Sequence, residues 1–538
     1  MTSATNSAAA SHTRQSQWAL VAREFRKRRL AVAAAVVVMT LVTISVFAPL
    51  LANDRPIYFV GINRSEFREA ARTLRGIVGQ MANSTEMPPA TDTAATAASR
   101  KKVDDQVRSV KLQFDLMSLE LPADTSTSLR ELQAKILAAA ADADRSQATV
   151  QLRAIQGELR PLLESLEPKL IARSQWPVLR SLSWSDLGFM SATLLLLTCP
   201  LWSRWSSSRQ ALLCFCLLPA VSAGAWWWLV PQRVDRTDYK SGLLAADDAA
   251  QKAAVSYHSV MWPPIAYALD ENDLVGKSVA PAWYPERWRP KPAERPNVSG
   301  ADSTRKLPSR WNTPHWMGTD TLGRDVLCRM IWGGRVSLSV GIVAVAIYVV
   351  IGIVIGSLAG YYRGVCDLVL SRIIEVVICF PSFFLILTIV AMRGPGLINI
   401  MVVIGLTSWT GIARLVRGEF LRLVDQEFVM AGKALGYSPL RLIFRHVLPN
   451  AMAPVLVSAT FGIAGAILTE SALSFLGVGI QKPTTSWGSL LAEGRDAMEH
   501  APWLIHFPGL AIFITITAYN LIGEALRDAA DPRLRGSR

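Results

Sequence analysis

Cysteine and charge are both scarce in this chain of 538 residues. The six cysteines (Cys199, Cys214, Cys216, Cys328, Cys366 and Cys379) sit in or beside apolar stretches, with no CxxC pair and no Cys/His cluster at zinc spacing. Neither a disulfide framework nor a metal site is indicated. Only 18% of the residues are charged, against about a quarter in an ordinary soluble protein, which disfavours a purely soluble protein. A GxxxxGK[ST] phosphate loop is missing, so the usual cradle for ATP is missing with it. HExxH and GxSxG do not occur either, and His500 and His506 stand without a paired metal motif. Nothing here points to an enzyme.

Apolar residues are abundant, at 51%, and they are gathered in runs. A helix crossing a hydrocarbon core of about 30 Å needs roughly 20 mostly apolar residues. Eight stretches are candidates: Leu30 to Leu51, Leu187 to Trp202, Ala211 to Val230, Val336 to Tyr361, Val376 to Met392, Ile398 to Ile412, Val455 to Leu476 and Phe507 to Leu526. The first follows Arg23, Arg26, Lys27, Arg28 and Arg29 and is longer than a secretory signal core, so it reads as an uncleaved anchor. Residues 187–230 read either as an extra transmembrane hairpin or as amphipathic or re-entrant pieces. Parity makes the two segments stand or fall together.

The formal net charge of +14 takes its meaning from where the cations lie. Lys and Arg are retained on the cytoplasmic side of a membrane. With the basic N-terminus (1–29) inside, counting through eight spans places inside the loop with Arg204 and Arg209, the stretch Arg363 to Arg372, the segment Arg414 to Arg445, and the tail 527–538 with Arg527, Arg533, Arg535 and Arg538. Arg393, Lys482 and Arg495 are the exceptions, the last flanked by Glu493, Asp496 and Glu499. Topology thus accounts for much of the positive charge, and nucleic-acid binding loses its motivation. The expected order is a first span (30–51), an extracytoplasmic helical insertion (52–186), the hairpin (187–230), an extracytoplasmic Pro/Trp-rich segment (231–317), and a membrane domain (318–526) with a cytoplasmic loop (413–450).

In the insertion, Leu152, Ile155, Leu159, Leu162, Leu163, Leu166 and Leu170 recur at spacings of three and four, one apolar stripe of a helix. Ser128 to Glu131 has the form of a capping box, and Ser84 to Ser99 reads as a Ser/Thr/Ala/Pro linker. A small helical bundle packing on itself is the plain reading; partner docking is the alternative. The segment 231–317, rich in Pro and Trp around Pro281 to Pro290, reads as a loop-rich cap without its own core. Its aromatics suit lipid-interface anchors or a substrate entrance.

Two motifs carry more. Gly318, Thr319, Asp320, Gly323, Arg324 and Asp325 form a polar, glycine-containing segment just before a span, which taken alone is a tight turn capping a helix. The stretch Gln426 to Asn450 reads as a short helix, a break at Gly436, a turn through Ser438 and Pro439, and a second basic helix ending at Pro449. Two short helices between spans make a knob suited to docking into another protein. Glu470, inside a span, is either a substrate contact or a packing hydrogen bond. Glu375 lies three residues after Arg372, as a helix-face ion pair would. Pro381 is expected to kink its span.

With these residues in view the sequence resembles the inner-membrane permeases of ABC transporters, specifically the C-type permeases of the dipeptide and oligopeptide importer branch. The family signature, Glu-Ala-Ala, three residues, Gly, nine residues, Ile-x-Leu-Pro, is matched at Ala431, Gly436, Leu448 and Pro449. Met430 and Gly432 stand where it has Glu and Ala, and His446 stands where it has Ile, as is typical of the peptide branch; Glu427 lies one turn earlier. Gly318 to Asp325, Glu470 to Gly477, Pro483 with Ser486 to Gly488, and Asn520 to Arg533 resemble further signatures of the branch. The resemblance covers Leu30 to Leu51 and about Trp316 to Arg535; the interval between is an insertion. It implies an all-α, six-span permease core that is non-catalytic and in the cell inner membrane, with both termini cytoplasmic. It implies as partners a second permease, two ATP-binding subunits carrying ATP and Mg, and an external substrate-binding protein. The ATPase-coupling loop would then comprise Glu427, Ala431, Gly436, Arg441, Arg445, His446, Leu448 and Pro449. A membrane-anchored scaffold or sensor using the extracytoplasmic helices is the competing expectation.

Overall fold

The computed structural model describes residues 17–86, 93–122, 125–141, 145–202, 208–229, 237–240, 254–272, 278–281, 283 and 315–530. Contacts divide the chain into two units, one of 1–52, 267–294 and 314–538, the other of 53–266 and 295–313. The first begins with helices α1 (Gln17–Lys27), α2 (Arg29–Val46) and α3 (Ala48–Leu51). The expected span to Leu51 is therefore shorter, since the chain breaks at Phe47 just before Pro49 of α3.

The second unit combines a three-stranded antiparallel sheet with a group of helices. Strand β1 (Tyr58–Asn63) leads into α4 (Arg64–Glu86), α5 (Thr93–Leu119), α6 (Ser126–Ala141) and α7 (Arg145–Leu166). Beyond them come β2 (Arg173–Gln175), α8 (Pro177–Ser181), α9 (Trp184–Trp202), α10 (Ser208–Leu229) and β3 (Val255–Met261). Leu152, Ile155, Leu159, Leu163, Leu166 and Leu170 are buried, meeting Phe67, Leu74, Val78, Phe114 and Ile136 in one apolar core, so the stripe on α7 faces its neighbours. Two expectations need correction here, and a third observation concerns the sheet. Helix α5 already runs from Thr93, because the Ala-rich part of the supposed linker is a good helix former; residues 87–92 lie outside the described residues. Helix α6 starts at Ser126, so Ser128 is inside it and caps nothing. Finally, the strand order β2-β1-β3 joins the insertion to the Pro/Trp-rich segment through Tyr58↔Met261 and Asn63↔Val255. Strand β3, from the Pro/Trp-rich segment, thus lies in one sheet with β1 and β2 of the insertion. Most of Pro281 to Pro290 lies outside the described residues.

Helices α9 and α10 pair as a hairpin, with Ser191 and Ser222 hydroxyls 3.0 Å apart and the Trp226 indole donating to the Leu182 carbonyl at 3.0 Å. Asp186 serves the helix start: its carboxylate accepts from the Ser183 amide at 3.0 Å, and its own amide donates to the Ser183 hydroxyl at 3.2 Å. Phe189, Leu194, Val221, Trp227 and Trp228 are exposed. The side chains of 199–214, and with them the basic loop at Arg204 and Arg209, are outside the described residues, so the crossing expected of 187–230 falls partly there too.

The first unit resumes with α11 (Val326–Tyr362), α12 (Gly364–Cys379), α13 (Ser382–Arg393), α14 (Leu397–Thr407), α15 (Trp409–Leu423), α16 (Glu427–Ala434), α17 (Pro439–Arg441), α18 (Leu448–Phe475), α19 (Trp487–Asp496) and α20 (Trp503–Ala530). Among the described residues five helical runs are long and apolar enough to cross a membrane: Arg29–Val46, Val326–Tyr362, Leu397–Leu423, Pro439–Phe475 and Trp503–Ala530. Helices α12 and α13 pass the same length and hydropathy test together, a broken span or a re-entrant pair bent by 79° at Phe380 and Pro381, where proline removes a backbone donor. A membrane-spanning, mostly helical core is thus present, and apart from the shortened first span its helical runs are longer than expected. The one beginning at Val336 starts ten residues sooner, where Asp325 accepts from the Cys328 amide at 2.7 Å and caps α11. The last runs on to Ala530, beyond which Arg533, Arg535 and Arg538 lie outside the described residues.

Close packing of this core rests on small residues. Gly352, Gly356 and Gly360 form a stripe on α11 against α15. A Cβ there would lie 2.6 Å from Ile412 Cβ, 2.5 Å from the Ala413 carbonyl oxygen and 2.5 Å from Phe420 Cβ. Lipid offers no hydrophobic drive for helix association, so such backbone approach supplies the contact. Val350, Leu510 and Phe513 point outward and are exposed, as a lipid-facing surface requires.

Candidate functional site

Three groups of residues singled out by sequence sit at the two ends of this bundle and inside it. At one end is the loop between α15 and α18. Glu427 opens α16 and is exposed, a favourable place for an acid beside the partial positive charge of a helix N-terminus. The helix stops at Leu435, and Gly436 takes φ +73°, a conformation that costs a Cβ-bearing residue about 1 kcal/mol or more. Its amide donates to the Lys433 carbonyl at 2.9 Å, and that of Tyr437 to Gly432 at 3.1 Å, satisfying carbonyls the helix leaves open. Ser438 and Pro439 then start α17.

The second helix does not end at Pro449. It runs through a π turn, Leu442–Val447, directly into α18. Pro449 has no N–H to offer the Arg445 carbonyl, and the preceding turn widens instead of stopping. Val429, Gly432, Leu442, Ile443 and Val447 are buried under the knob. Outside it, Phe428, Met430, Leu435, Leu440 and Phe444 are exposed, Leu435 at 70%. Ala431, Arg445 and Pro449 are also exposed, while Leu448 is half-buried. His446 stacks on Tyr437 with ring centroids 5.5 Å apart, and the Arg441 guanidinium lies 4.1 Å over the same ring. The departure at Gly432 has a steric reason: a Cβ there would stand 2.7 Å from Leu442 Cδ2. At this end Arg363 also pairs with Asp425 at 2.6 Å, which holds the Asp425 carboxyl below its ordinary range. The Arg372–Glu375 pair is formed at 2.6 Å and is exposed.

At the opposite end of α11, Gly318 to Asp325 folds as a tight turn with a bridge between Thr319 and Asp325. Gly318 and Gly323 both have positive φ. Asp320 is fully buried and accepts from the Leu322 amide at 2.8 Å, the Arg324 amide at 2.9 Å, Arg324 Nε at 2.6 Å and Arg329 Nη1 at 2.6 Å. Glu493 of α19 completes the cluster, taking Arg329 at 2.6 and 2.9 Å, Arg324 at 3.0 Å and Lys482 at 3.5 Å. Burial pushes the Glu493 carboxyl up, but the Arg329 hydrogen bonds and the Arg329, Arg324 and Lys482 charges more than offset it and hold the group below its ordinary value. Sequence reading missed Glu493, which it grouped with Arg495; Arg495 instead pairs with Asp496 at 3.0 Å. The signal that was there is Arg329, a cation within the first turn of an apolar helix.

The third group is Glu470. It is completely buried, and its carboxylate accepts from Ser337 of α11 at 3.1 Å and Ser474 of α18 at 2.8 Å. The structure thus gives this carboxylate hydrogen bonds to its own helix and to α11.

Comparison with known proteins places this geometry. Residues 352–536 match the model for the binding-protein-dependent transport system inner membrane component, and residues 16–63 that for the N-terminal TM domain of oligopeptide transport permease C. The dipeptide transport system permease protein DppC of Alkalihalophilus pseudofirmus is 43% identical over 41% of this chain and 73% of its own length. The oligopeptide transport system permease protein OppC of Bacillus subtilis is 39% identical over 44% of this chain and 76% of its own. The glutathione transport system permease protein GsiD of Pectobacterium atrosepticum is 39% identical over 48% and 84%. These relatives are permeases, and none of them favours a scaffold or sensor. The chain belongs to the ABC importer permease family, in its dipeptide and oligopeptide branch.

Proposed function

We propose that this permease forms, with a second permease subunit, the membrane pathway for peptides or related small solutes delivered by an external binding protein, and that separate ATP-hydrolysing subunits drive it. The loop 413–450 and both termini face the cytoplasm in this reading, which agrees with the basic residues Arg414 to Arg445. The chain itself performs no chemistry; ATP and Mg belong to the partners.

One observation carries the reading. The knob of α16 and α17 keeps Val429, Leu442 and Ile443 inside while Phe428, Met430, Leu435, Leu440 and Phe444 are exposed, and its second half is continuous with a membrane span. An apolar knob fits a partner's groove. Because it is continuous with the span, a partner that closes beneath it biases one arrangement of the bundle over another. The test is Gly436→Asp. It should leave insertion intact but impair ATP-driven uptake, because φ +73° is strained for Asp and the added charge sits on the docking face. Uptake equal to wild type would refute the assignment, as would native complexes purified without any ATP-binding subunit.

A further inference from the structure

Glu470 does more than fill a polar gap between helices, because two relays of hydrogen bonds end on it. The Trp487 amide, first in α19, donates to the Ser337 hydroxyl at 3.1 Å, and that hydroxyl donates to one Glu470 oxygen at 3.1 Å. The Ile480 amide donates to the Ser474 hydroxyl at 3.1 Å, and that hydroxyl donates to the other oxygen at 2.8 Å. One carboxylate therefore holds both roots of the strap 476–486, whose tip at Gln481, Lys482 and Pro483 is exposed while Ile480, Thr485 and Ser486 are buried. Glutamine cannot reproduce this: its single amide oxygen takes one relay, while its NH2 meets the other hydroxyl as a second donor, so that hydroxyl must turn its own proton away and its bond to residue 470 is reversed.

The position of Glu470 along its helix supplies the functional link. The helical run Pro439–Phe475 begins in the cytoplasmic knob and places Glu470 roughly 45 Å further along at 1.5 Å per residue. The acceptor of both relays therefore stands on the same continuous helical run as the knob. Lys482, at the tip of the strap, reaches Glu493 at 3.5 Å, so the strap also touches the charge cluster of the Gly318 to Asp325 turn. We propose that Glu470 is a positioning residue of the transport cycle: through the Ser337 and Ser474 relays it transmits movement of the knob to the strap 476–486 and α19 at the far end of the pathway. The proposal rests on the permease function proposed for the chain.

The test uses the native complex with its second permease and ATPase subunits, reconstituted in lipid. Amide hydrogen exchange of the segment 478–488 is compared between nucleotide-free and vanadate-trapped states, and substrate imported per ATP hydrolysed is measured in liposomes. In the wild type, exchange at Ile480 and Trp487 should differ between the states. In Glu470→Gln that difference should vanish, and substrate imported per ATP should fall about ten-fold, the scale of a typical coupling between sites. Ser337→Ala cuts only the Trp487 relay; it should speed exchange at Trp487 while sparing Ile480 and lower the import ratio, and it decides the matter if Glu470→Gln does not assemble. A residue that merely packs would lower yield or melting temperature and leave the import ratio at the wild-type value. That result, or wild-type exchange identical in both states while uptake proceeds, overturns the proposal. A wild-type complex with no ATP-driven uptake overturns the permease function itself.

Discussion

Replacing Arg329 by methionine removes the central cation of the buried cluster. Arg329 is 1% exposed and makes three charge-assisted bonds, to Asp320 at 2.6 Å and to Glu493 at 2.6 and 2.9 Å. Removing one member of a buried ion pair costs about 3–5 kcal/mol, because the remaining charge is left desolvated. Here the remaining charges keep partial partners. Asp320 retains Arg324 and two backbone amides, and Glu493 retains Arg324 and Lys482. The lower end, about 3 kcal/mol, is therefore expected. The assay is thermal unfolding of the purified complex followed by Trp fluorescence, since Trp487 and Trp503 are buried next to the cluster. A fall of about 5 °C or more is expected, against no measurable change for Arg372→Met, whose pair with Glu375 is exposed. Adding Glu493→Gln to Arg329→Met should cost less than it does alone. A melting temperature unchanged by Arg329→Met, or additive costs in the double variant, would refute the cluster as a coupled unit. Lowering pH acts the same way. The Glu493 carboxyl is held below its ordinary value, so its contribution is present above the ordinary carboxyl range and is lost as pH falls through the depressed value.

Two further perturbations test other parts of the chain. In the helical insertion, burial and the neighbouring Glu66 push the Glu120 carboxyl up to about 8, against the opposing charges of Arg173 and Arg180; stability from this group is full below the ordinary carboxyl value and is lost as pH rises through about 8. Protection factors of α4 to α7 in the intact chain, taken relative to the intrinsic base-catalysed exchange rate at each pH, should therefore fall toward alkaline pH, and Glu120→Gln should flatten that fall; an identical fall in the variant would refute it. Gly432→Ala restores a signature residue yet places a methyl group 2.7 Å from Leu442 Cδ2, an overpacking worth about 1–3 kcal/mol. It should reduce uptake, and Leu442→Val should restore it; uptake by Gly432→Ala equal to wild type would show that the knob relaxes freely.

What could be read from the sequence alone follows the range of the interactions involved. Membrane spans announce themselves locally, because a bilayer demands about twenty apolar residues in a row whatever else the chain does. The same holds for the stripe on α7, whose buried leucines are set by helical period, and for Gly436, which marks a break by its own conformational freedom. Boundaries were less legible: α11 begins ten residues before its apolar run, because a capping Asp325 and a partnered Arg329 admit polar residues into a helix. Least legible were pairings across long stretches of chain. Strand β3 meets β1 from about two hundred residues away, and Arg329 meets Glu493 at a separation of 164. No periodicity records such a partner; each residue alone reads as a surface charge or a loop. Glu470 lies between these cases. Its intramembrane carboxylate is conspicuous in the sequence, but what it does depends on Ser337, 133 residues earlier, and on the amide of Trp487 that Ser337 accepts. The buried polar contacts of this permease thus sit where local pattern is weakest. Its spans obey the bilayer, whereas the contacts that join its two ends obey only the fold.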